Sequence, residues 1–257
     1  MPESDLPLIA AAAREAGAVA MRFWKANPQV WEKPGLGPVT EADLAVNDLL
    51  ADRLRGARPG YGWLSEETPD DAARLMCDRV FILDPIDGTR TFIAGEKHFA
   101  ISIAVVEHGR AIAGAVYLPA LDRLYTAEEH GPALRDGQQI LCADRAELAG
   151  ANLLMSKGFL EPQHWRHPPP DLKRSFRSSI AYRLCLIAEG SFDGMISTRD
   201  AWEWDIAAGC LIAARAGAAV SDRHGQTLQF NSAAAKTAGI FTAPPEVHRK
   251  IIASFKT

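Results

Sequence analysis

The stretch Val80-Phe81-Ile82-Leu83-Asp84-Pro85-Ile86-Asp87-Gly88-Thr89-Arg90 constrains this chain more than any other. Four apolar residues read as a buried strand, and that strand runs straight into two carboxylates. Side chains alternate along a strand, so residues three apart face opposite sides. Asp84 and Asp87 converge only if the chain turns between them, and Pro85 supplies the turn by fixing its own φ and keeping Asp84 extended. Gly88 allows a close backbone approach. Thr89 can begin a short helix through about Ile93, whose free N–H groups suit a phosphate. Two carboxylates so close in a low-dielectric pocket repel, so either one is protonated or a cation neutralises both. All-oxygen ligands favour a hard ion such as Mg²⁺. The plain alternative is an ordinary Asp-Pro turn with an Asx cap.

Around this stretch the pattern alternates between helix and strand. Leu6, Ile9, Ala13, Ala16, Ala20 and Phe23 recur at helical spacing over residues 6–26, and Asn27-Pro28 stops the run. Residues 33–38 are too rich in breakers for regular structure. Thr40 can cap a helix to about Arg55, with apolar Leu44, Leu50 and Leu54 and acidic Glu41 and Asp43 in its first turn. Short strands are expected at Gly62–Ser65, at Phe99–Glu107 and at Ala111–Tyr117, the last two joined by a turn at His108-Gly109-Arg110. Arg123–Thr126 is expected to pair with the region before Arg135-Asp136-Gly137. Up to about residue 145 this is an α+β unit. Beyond it, a strand at Ala151–Ser156 and helices from Ser178-Ser179 to Glu189 and from Asp205 to Ala216 are expected. Short strands follow near Ala219-Val220 and Gly239–Phe241. Two subdomains, residues 1–145 and 146–257, are the expected division.

With 257 residues, 47% of them hydrophobic, the chain can bury a large core. Its net charge of −4, with basic residues scattered, argues against a nucleic-acid or anionic-membrane binder. Cys77, Cys142, Cys185 and Cys210 form no CxxC pair, so reduced thiols are expected. No apolar run approaches the roughly 20 residues of a membrane helix. The opening Met-Pro-Glu-Ser-Asp is acidic where a secretory leader is positive, so a cytoplasmic location is expected.

Further acids stand at element ends. Leu64-Ser65-Glu66-Glu67 again ends an apolar strand in paired carboxylates, and Trp202-Glu203-Trp204-Asp205 opens an apolar helix. Taken singly, a solvated loop and a helix cap explain them. Together with Pro38-Val39-Thr40-Glu41-Ala42-Asp43, the Asp84–Thr89 motif and Trp204-Asp205-Ile206-Ala207-Ala208-Gly209, they occur in an order that resembles the inositol monophosphatase superfamily of Mg²⁺-dependent, lithium-sensitive phosphatases. The likeness spans most of the chain. Leu64-Ser65-Glu66-Glu67, Asp87-Gly88-Thr89-Arg90 with Phe92, and Cys185-Leu186-Ile187-Ala188-Glu189-Gly190 are most like its CysQ-type 3′(2′),5′-bisphosphate nucleotidase branch.

The resemblance implies an α+β or α/β fold, a layered αβαβα sandwich of the inositol monophosphatase and sugar phosphatase type. It implies that Glu66, Asp84, Asp87, Asp205 and the Ile86 carbonyl hold two or three Mg²⁺ ions, with Li⁺ inhibitory. Asp43 and Thr89, with Glu66, match the catalytic group that deprotonates the attacking water. Asp87, Gly88, Thr89 and Asp205 match phosphate and substrate contacts. Ser179 and Arg183, one helical turn apart, are candidates for a second phosphate or sugar oxygens; a solvated helix arginine is the alternative for Arg183. Asp200 and Glu203 are candidates for sugar hydroxyls, and Lys33 lies near the family's loop lysine. His164 and His167 form an HxxH pair, but in a proline-rich segment they read as a solvated loop.

The implied activity is a Mg²⁺-dependent phosphomonoesterase, first on 3′-phosphoadenosine 5′-phosphate. Inositol 1-phosphate comes second, then histidinol phosphate and fructose 1,6-bisphosphate. A small phosphorylated metabolite is the expected partner, without nucleic acid or membrane span, and a homodimer is compatible with the resemblance. A regulator that binds RNA or transcription complexes is the non-enzymatic alternative. A haloacid-dehalogenase motif needs one residue between its aspartates where this chain has two, and Gly35-Leu36-Gly37 lacks the third glycine of a dinucleotide loop.

Overall fold

The computed structural model describes residues 4–33, 35 and 37–256. The first helix, α1 (Leu6–Phe23), turns Ile9, Ala12, Ala13, Ala16 and Ala20 inward. Its small residues allow close approach, and a side chain at Gly17 would collide with the Tyr117 ring. Strands β1 (Val30–Lys33) and β2 (Gly37–Thr40) pair antiparallel. The breaker-rich stretch is thus flanked by regular hairpin strands, a correction to the irregular loop expected; Pro34 and Leu36 lie outside the described residues. Helix α2 (Glu41–Ala57) starts at a capping box in which Thr40 and Asp43 satisfy each other's backbone N–H groups. Leu50 and Leu54 are buried as expected, whereas Leu44 faces outward.

A seven-stranded sheet follows: β3 (Gly62–Ser65), β4 (Arg79–Asp87), β5 (Ala100–Glu107), β6 (Arg110–Leu118), β7 (Arg123–Glu128), β8 (Leu134–Arg135) and β9 (Gln138–Gln139), side by side in chain order. Only β3 and β4 run parallel. Helix α3 (Thr89–Ile93) leaves the end of β4. The later strands are β10 (Asn152–Leu154), β11 (Lys173–Ser175), β12 (Gly194–Ser197), β13 (Ala201–Trp202), β14 (Ala219–Ser221), β15 (Lys236–Thr237) and β16 (Ile240–Ala243). Five of them form a second sheet in the order β11-β10-β12-β16-β14, and β13 pairs with β15. Helices α4 (Ile180–Ala188), α5 (Glu203–Arg215) and α6 (Pro245–Ser254) complete the elements.

The strand pattern sorts these into layers. Phe81, Leu83, Ile101, Ile103 and Val105 pack on α1 and α2, while Val80, Ile82, Ala104 and Val106, one residue out of phase, face α4 and α5. The other side of α4 and α5 meets Leu154, Met195 and Ile240 of the second sheet, whose far face packs Leu153, Ile196 and Phe241 against α6. The result is the αβαβα sandwich. Close contact fixes α5 in the middle layer: a side chain at Gly114 would strike the Ala208 backbone, and one at Gly209 would strike Leu184.

The proline-rich segment lies mostly at the surface, as expected, and is anchored at one point. Trp165 is buried, with its indole N–H donating to the Phe159 carbonyl at 2.8 Å. His164 stacks on Phe255 at 6.0 Å while His167 is exposed, so the HxxH pair is divided between packing and solvent. The four cysteines are free thiols. No helix among the described residues is long and apolar enough to cross a membrane.

Candidate active site

Strand β4 settles how its two aspartates meet. Asp84 stands opposite Ser102 and Asp87 opposite Ala100, so four residues on β4 stand against three on β5. This is a β-bulge. The chain therefore does not turn at Pro85 as the sequence reading expects. It stays extended, and the extra residue shifts the alternation so that both carboxylates face α4 and α5. Proline fits because a bulge asks less of the missing N–H. Asp84 closes the bulge by accepting from the Ile86 N–H at 2.9 Å. Gly88, at φ +100°, then begins α3, which no side chain caps.

Three acids from different elements converge there. Glu66 follows β3, Asp84 ends the regular part of β4, and Asp205 lies in the first turn of α5; one carboxylate oxygen from each lies within 4.8 Å of the others. Asn47 of α2 anchors the Glu66 loop by accepting from Ser65 Oγ at 2.7 Å and Thr68 Oγ1 at 3.2 Å. Lys33 Nζ reaches both Glu66 and Glu67 at 2.8 Å. Asp87 stands beside the triad with one oxygen accepting from Ser179 Oγ and the Ala181 N–H, each at 2.7 Å. Thr89 Oγ1 lies 3.2 Å from both Asp43 Oδ1 and the Ile86 carbonyl oxygen. The other Asp43 oxygen accepts from the Thr40 N–H at 2.9 Å and its hydroxyl at 2.5 Å.

Burial and neighbouring charges act on Asp43, Glu67, Asp84, Asp87 and Asp205. Burial first, and then the charges of Glu66, Asp87 and Asp205, push Asp84 well above the usual carboxylate range. Burial followed by Asp87 and Glu66 does the same to Asp205. Asp87 rises to about 6 through burial, against the hydrogen bonds from Ser179 and Ala181. Asp43 also rises to about 6, chiefly through burial, and Glu67 to about 7 for the same reason. Burial works against the Lys33 charge, but Glu66 and Glu67 outweigh it and hold its pKa up. An all-oxygen set with this much unneutralised acid fits a hard divalent cation.

Around the acids lie recesses of different character. One of about 450 Å³ is lined by Glu66, Asp84, Asp87 and Asp205 with Gly88 and Thr89. Another of about 410 Å³ joins Asp87 and Asp205 to Arg183, Arg199, Ser156 and Ser197. A third, of about 500 Å³, runs from Lys33 and Glu67 to Trp202 and Trp204, whose rings stack at 4.4 Å.

Some residues singled out from sequence have other duties here. Ser179 is completely buried and caps α4 by accepting from the Tyr182 N–H at 3.0 Å, while its one hydroxyl proton goes to Asp87, so it has no donor left to offer elsewhere. Arg183 does line the site, and it also ties down the preceding loop through the Arg177 and Ser178 carbonyls. Asp200 pairs with Arg223 at 3.0 Å. Glu203 is completely buried, with its carboxylate bonded to Asn231 and Ser232. Arg199 and Arg74 escaped the sequence reading. Nothing local marks them, because each matters only through residues far away in the chain.

A profile of the inositol monophosphatase family matches residues 3–257. An inositol-1-monophosphatase of Mesorhizobium japonicum is 34% identical over 200 residues, 73% of each chain. A 3′(2′),5′-bisphosphate nucleotidase CysQ of Escherichia coli O157:H7 is also 34% identical, over 233 residues, 85% of this chain and 90% of that one. Among solved structures, an inositol monophosphatase of Thermotoga maritima superposes with a TM-score of 0.83 at 28% identity, covering 96% of this chain and 95% of the other.

Proposed function

The chain belongs to the inositol monophosphatase family, whose relatives are phosphoric monoester hydrolases, and from that premise we propose that it is a Mg²⁺-dependent 3′(2′),5′-bisphosphate nucleotidase. Its substrate on this reading is 3′-phosphoadenosine 5′-phosphate, which it converts to AMP and phosphate. The observation that carries the phosphatase chemistry is the Glu66, Asp84 and Asp205 triad beside the Thr89–Asp43 hydrogen bond. The nucleotidase choice is supported by the recess that Arg183 and Arg199 line together with Asp87 and Asp205, since a second phosphate on the substrate calls for cations beside the first.

Glu66, Asp84 and Asp205, with Asp87 and the Ile86 carbonyl at the margin, would hold two or three Mg²⁺ ions. When bound, the metal supplies a Lewis acid that neutralises charge on the phosphoryl group and favours deprotonation of water. The N–H groups of Gly88 and Thr89 hold phosphate oxygens at the start of α3. A water at Thr89 Oγ1 passes a proton through that hydroxyl to Asp43 Oδ1, 3.2 Å away. Thr40 orients Asp43 for this by holding its other oxygen. Bulge geometry keeps Asp84 and Asp87 on the same side of the phosphate. Arg183, whose pKa burial lowers with Asp87 and Asp205 opposing, faces the rest of the substrate together with Arg199.

Inositol 1-phosphate is the second reading, favoured by relatives of equal identity. A Thermotoga maritima fructose-1,6-bisphosphatase/inositol-1-monophosphatase, 32% identical over 222 residues, keeps a sugar bisphosphate in view. We further propose a cytoplasmic enzyme, inhibited by lithium and without nucleic-acid partners, that works as a homodimer. The deciding experiment measures kcat/KM for 3′-phosphoadenosine 5′-phosphate, inositol 1-phosphate and fructose 1,6-bisphosphate side by side. A preference of about ten-fold or more for either of the last two, about 1.4 kcal/mol in transition-state binding, rejects the nucleotidase.

A further inference from the structure

Glu203 and Arg74 are buried charged residues outside the acid triad, and both hold the same two residues of a distant loop. Glu203 is completely buried. Its carboxylate accepts from the Asn231 N–H at 2.6 Å, the Ser232 N–H at 3.0 Å and Ser232 Oγ at 2.5 Å, while its own N–H donates to the Ala235 carbonyl at 2.9 Å. Arg74 is 2% exposed. Its Nη1 donates to Asn231 Oδ1 at 2.6 Å and its Nη2 to the Ser232 carbonyl at 2.9 Å; Asn231 Nδ2 returns a bond to the Arg74 carbonyl at 3.3 Å. A bidentate contact from Asp70, at 2.6 and 2.9 Å, orients the guanidinium.

We infer that Glu203 and Arg74 are positioning residues of the metal centre: by clamping Asn231–Ser232 between them, they hold the helix start that carries Asp205 in register with the segment that carries Glu66. The inference rests on the Mg²⁺ centre proposed above. Arg74 lies in the connection between β3 and β4, the same segment that begins with Glu66. Glu203 opens α5, the helix on which Asp205 sits. The two metal-site acids come from opposite halves of the chain, and a triad within 4.8 Å tolerates little play between its carriers. Apolar residues could fill this joint at no loss of stability, because burying charges is costly even when they are well paired. Directional bonds to one short segment give what apolar packing does not, a single relative placement. Asn231 sits at φ +59°, a conformation the clamp holds in place.

Titration calorimetry with Mg²⁺, alongside thermal unfolding in EDTA, tests this on wild type, Glu203→Gln and Asn231→Gly. Glycine suits the left-handed backbone at 231 and keeps the N–H that Glu203 accepts, so only the side-chain link to Arg74 is lost. Glu203→Gln turns an amide NH₂ or a single acceptor toward three donors. The expected result is a Mg²⁺ dissociation constant about ten-fold weaker in Glu203→Gln and several-fold weaker in Asn231→Gly, the scale of lost outer support at a metal site. Wild-type affinity in both variants, with only a lower unfolding temperature in EDTA, overturns the inference and leaves a purely structural joint. Absence of Mg²⁺ binding by wild type overturns the metal-centre reading itself, which separates the two failures.

Discussion

Asp84 and Asp87 share one face of β4 although they are three positions apart, because the bulge between them sets four residues of β4 against the three from Ala100 to Ser102. The same geometry places two buried carboxylates, with Asp205 and Glu66, in mutual repulsion.

That repulsion fixes the sign of a pH effect. Asp84, Asp87 and Asp205 have folded-state pKa values above their unfolded values, Asp87 at about 6. Raised carboxylate pKa values contribute stability at low pH, which is lost as pH rises from about 4 through the folded values. Metal-free protein should therefore be destabilised by these groups on going from about pH 5 to pH 7.5, and Mg²⁺ should raise the unfolding temperature more at the higher pH. Scanning calorimetry in EDTA and in Mg²⁺ at both pH values checks it. An equal Mg²⁺ increment at the two values would count against these acids as the metal site.

Ser179→Ala separates positioning from substrate contact. The hydroxyl donates to Asp87 and caps α4, so its loss should destabilise the fold by about 1–2 kcal/mol. With Asp87 less well held, the Mg²⁺ concentration needed for half-maximal activity should rise. KM for substrate at saturating Mg²⁺ should change less than about three-fold, since no substrate bond is removed. Urea unfolding and steady-state kinetics at two metal concentrations distinguish the cases.

Much of this was legible in the chain because the information was local. Thr40 caps α2 as expected, with Asp43 completing a capping box, and the hairpin expected at His108-Gly109-Arg110 forms with His108 and Gly109, both at positive φ, as its turn and Arg110 already in β6. The apolar run into Asp84 gave a buried strand, and the motif order gave the αβαβα sandwich. The bulge was not legible, because a proline after an aspartate allows a turn or an extended bulge, and the register of β5 decides between them. Hairpin pairing around Pro34 and Pro38 escaped for a similar reason: β1 and β2 form by pairing with each other, against their composition. Glu203 read as a helix-start acid, and only the folded chain brings Asn231 to it.

His248 gives a pH effect of opposite sign, far from the acids. Burial lowers its pKa, and Nε2 lies 2.8 Å from Ser221 Oγ across the contact between α6 and β14. A depressed histidine pKa contributes stability above the unfolded value of about 6.5, which is lost as pH falls. His248→Gln should lower the unfolding temperature at neutral pH and flatten its decline between about pH 7 and pH 5. Saturating Mg²⁺ throughout the scans keeps the acid cluster from masking the difference.

Arg199→Ala tests how the enzyme selects its substrate. Arg199 is exposed, makes no hydrogen bond or ion pair among the described residues, and shares its recess with Arg183, Asp87 and Asp205. Its removal should leave the fold intact, whereas Arg183 also holds the Arg177 and Ser178 carbonyls and would perturb the loop. An arginine bonded to a phosphate contributes about 1.5–3 kcal/mol, so kcat/KM for 3′-phosphoadenosine 5′-phosphate should fall by about ten-fold or more. Inositol 1-phosphate has no second phosphate for Arg199 to meet, and its kcat/KM should stay within about two-fold. Equal losses on both substrates would move Arg199 from leaving-group recognition to a general field effect on the phosphate. No loss on either would remove the second-anion recess from the nucleotidase argument.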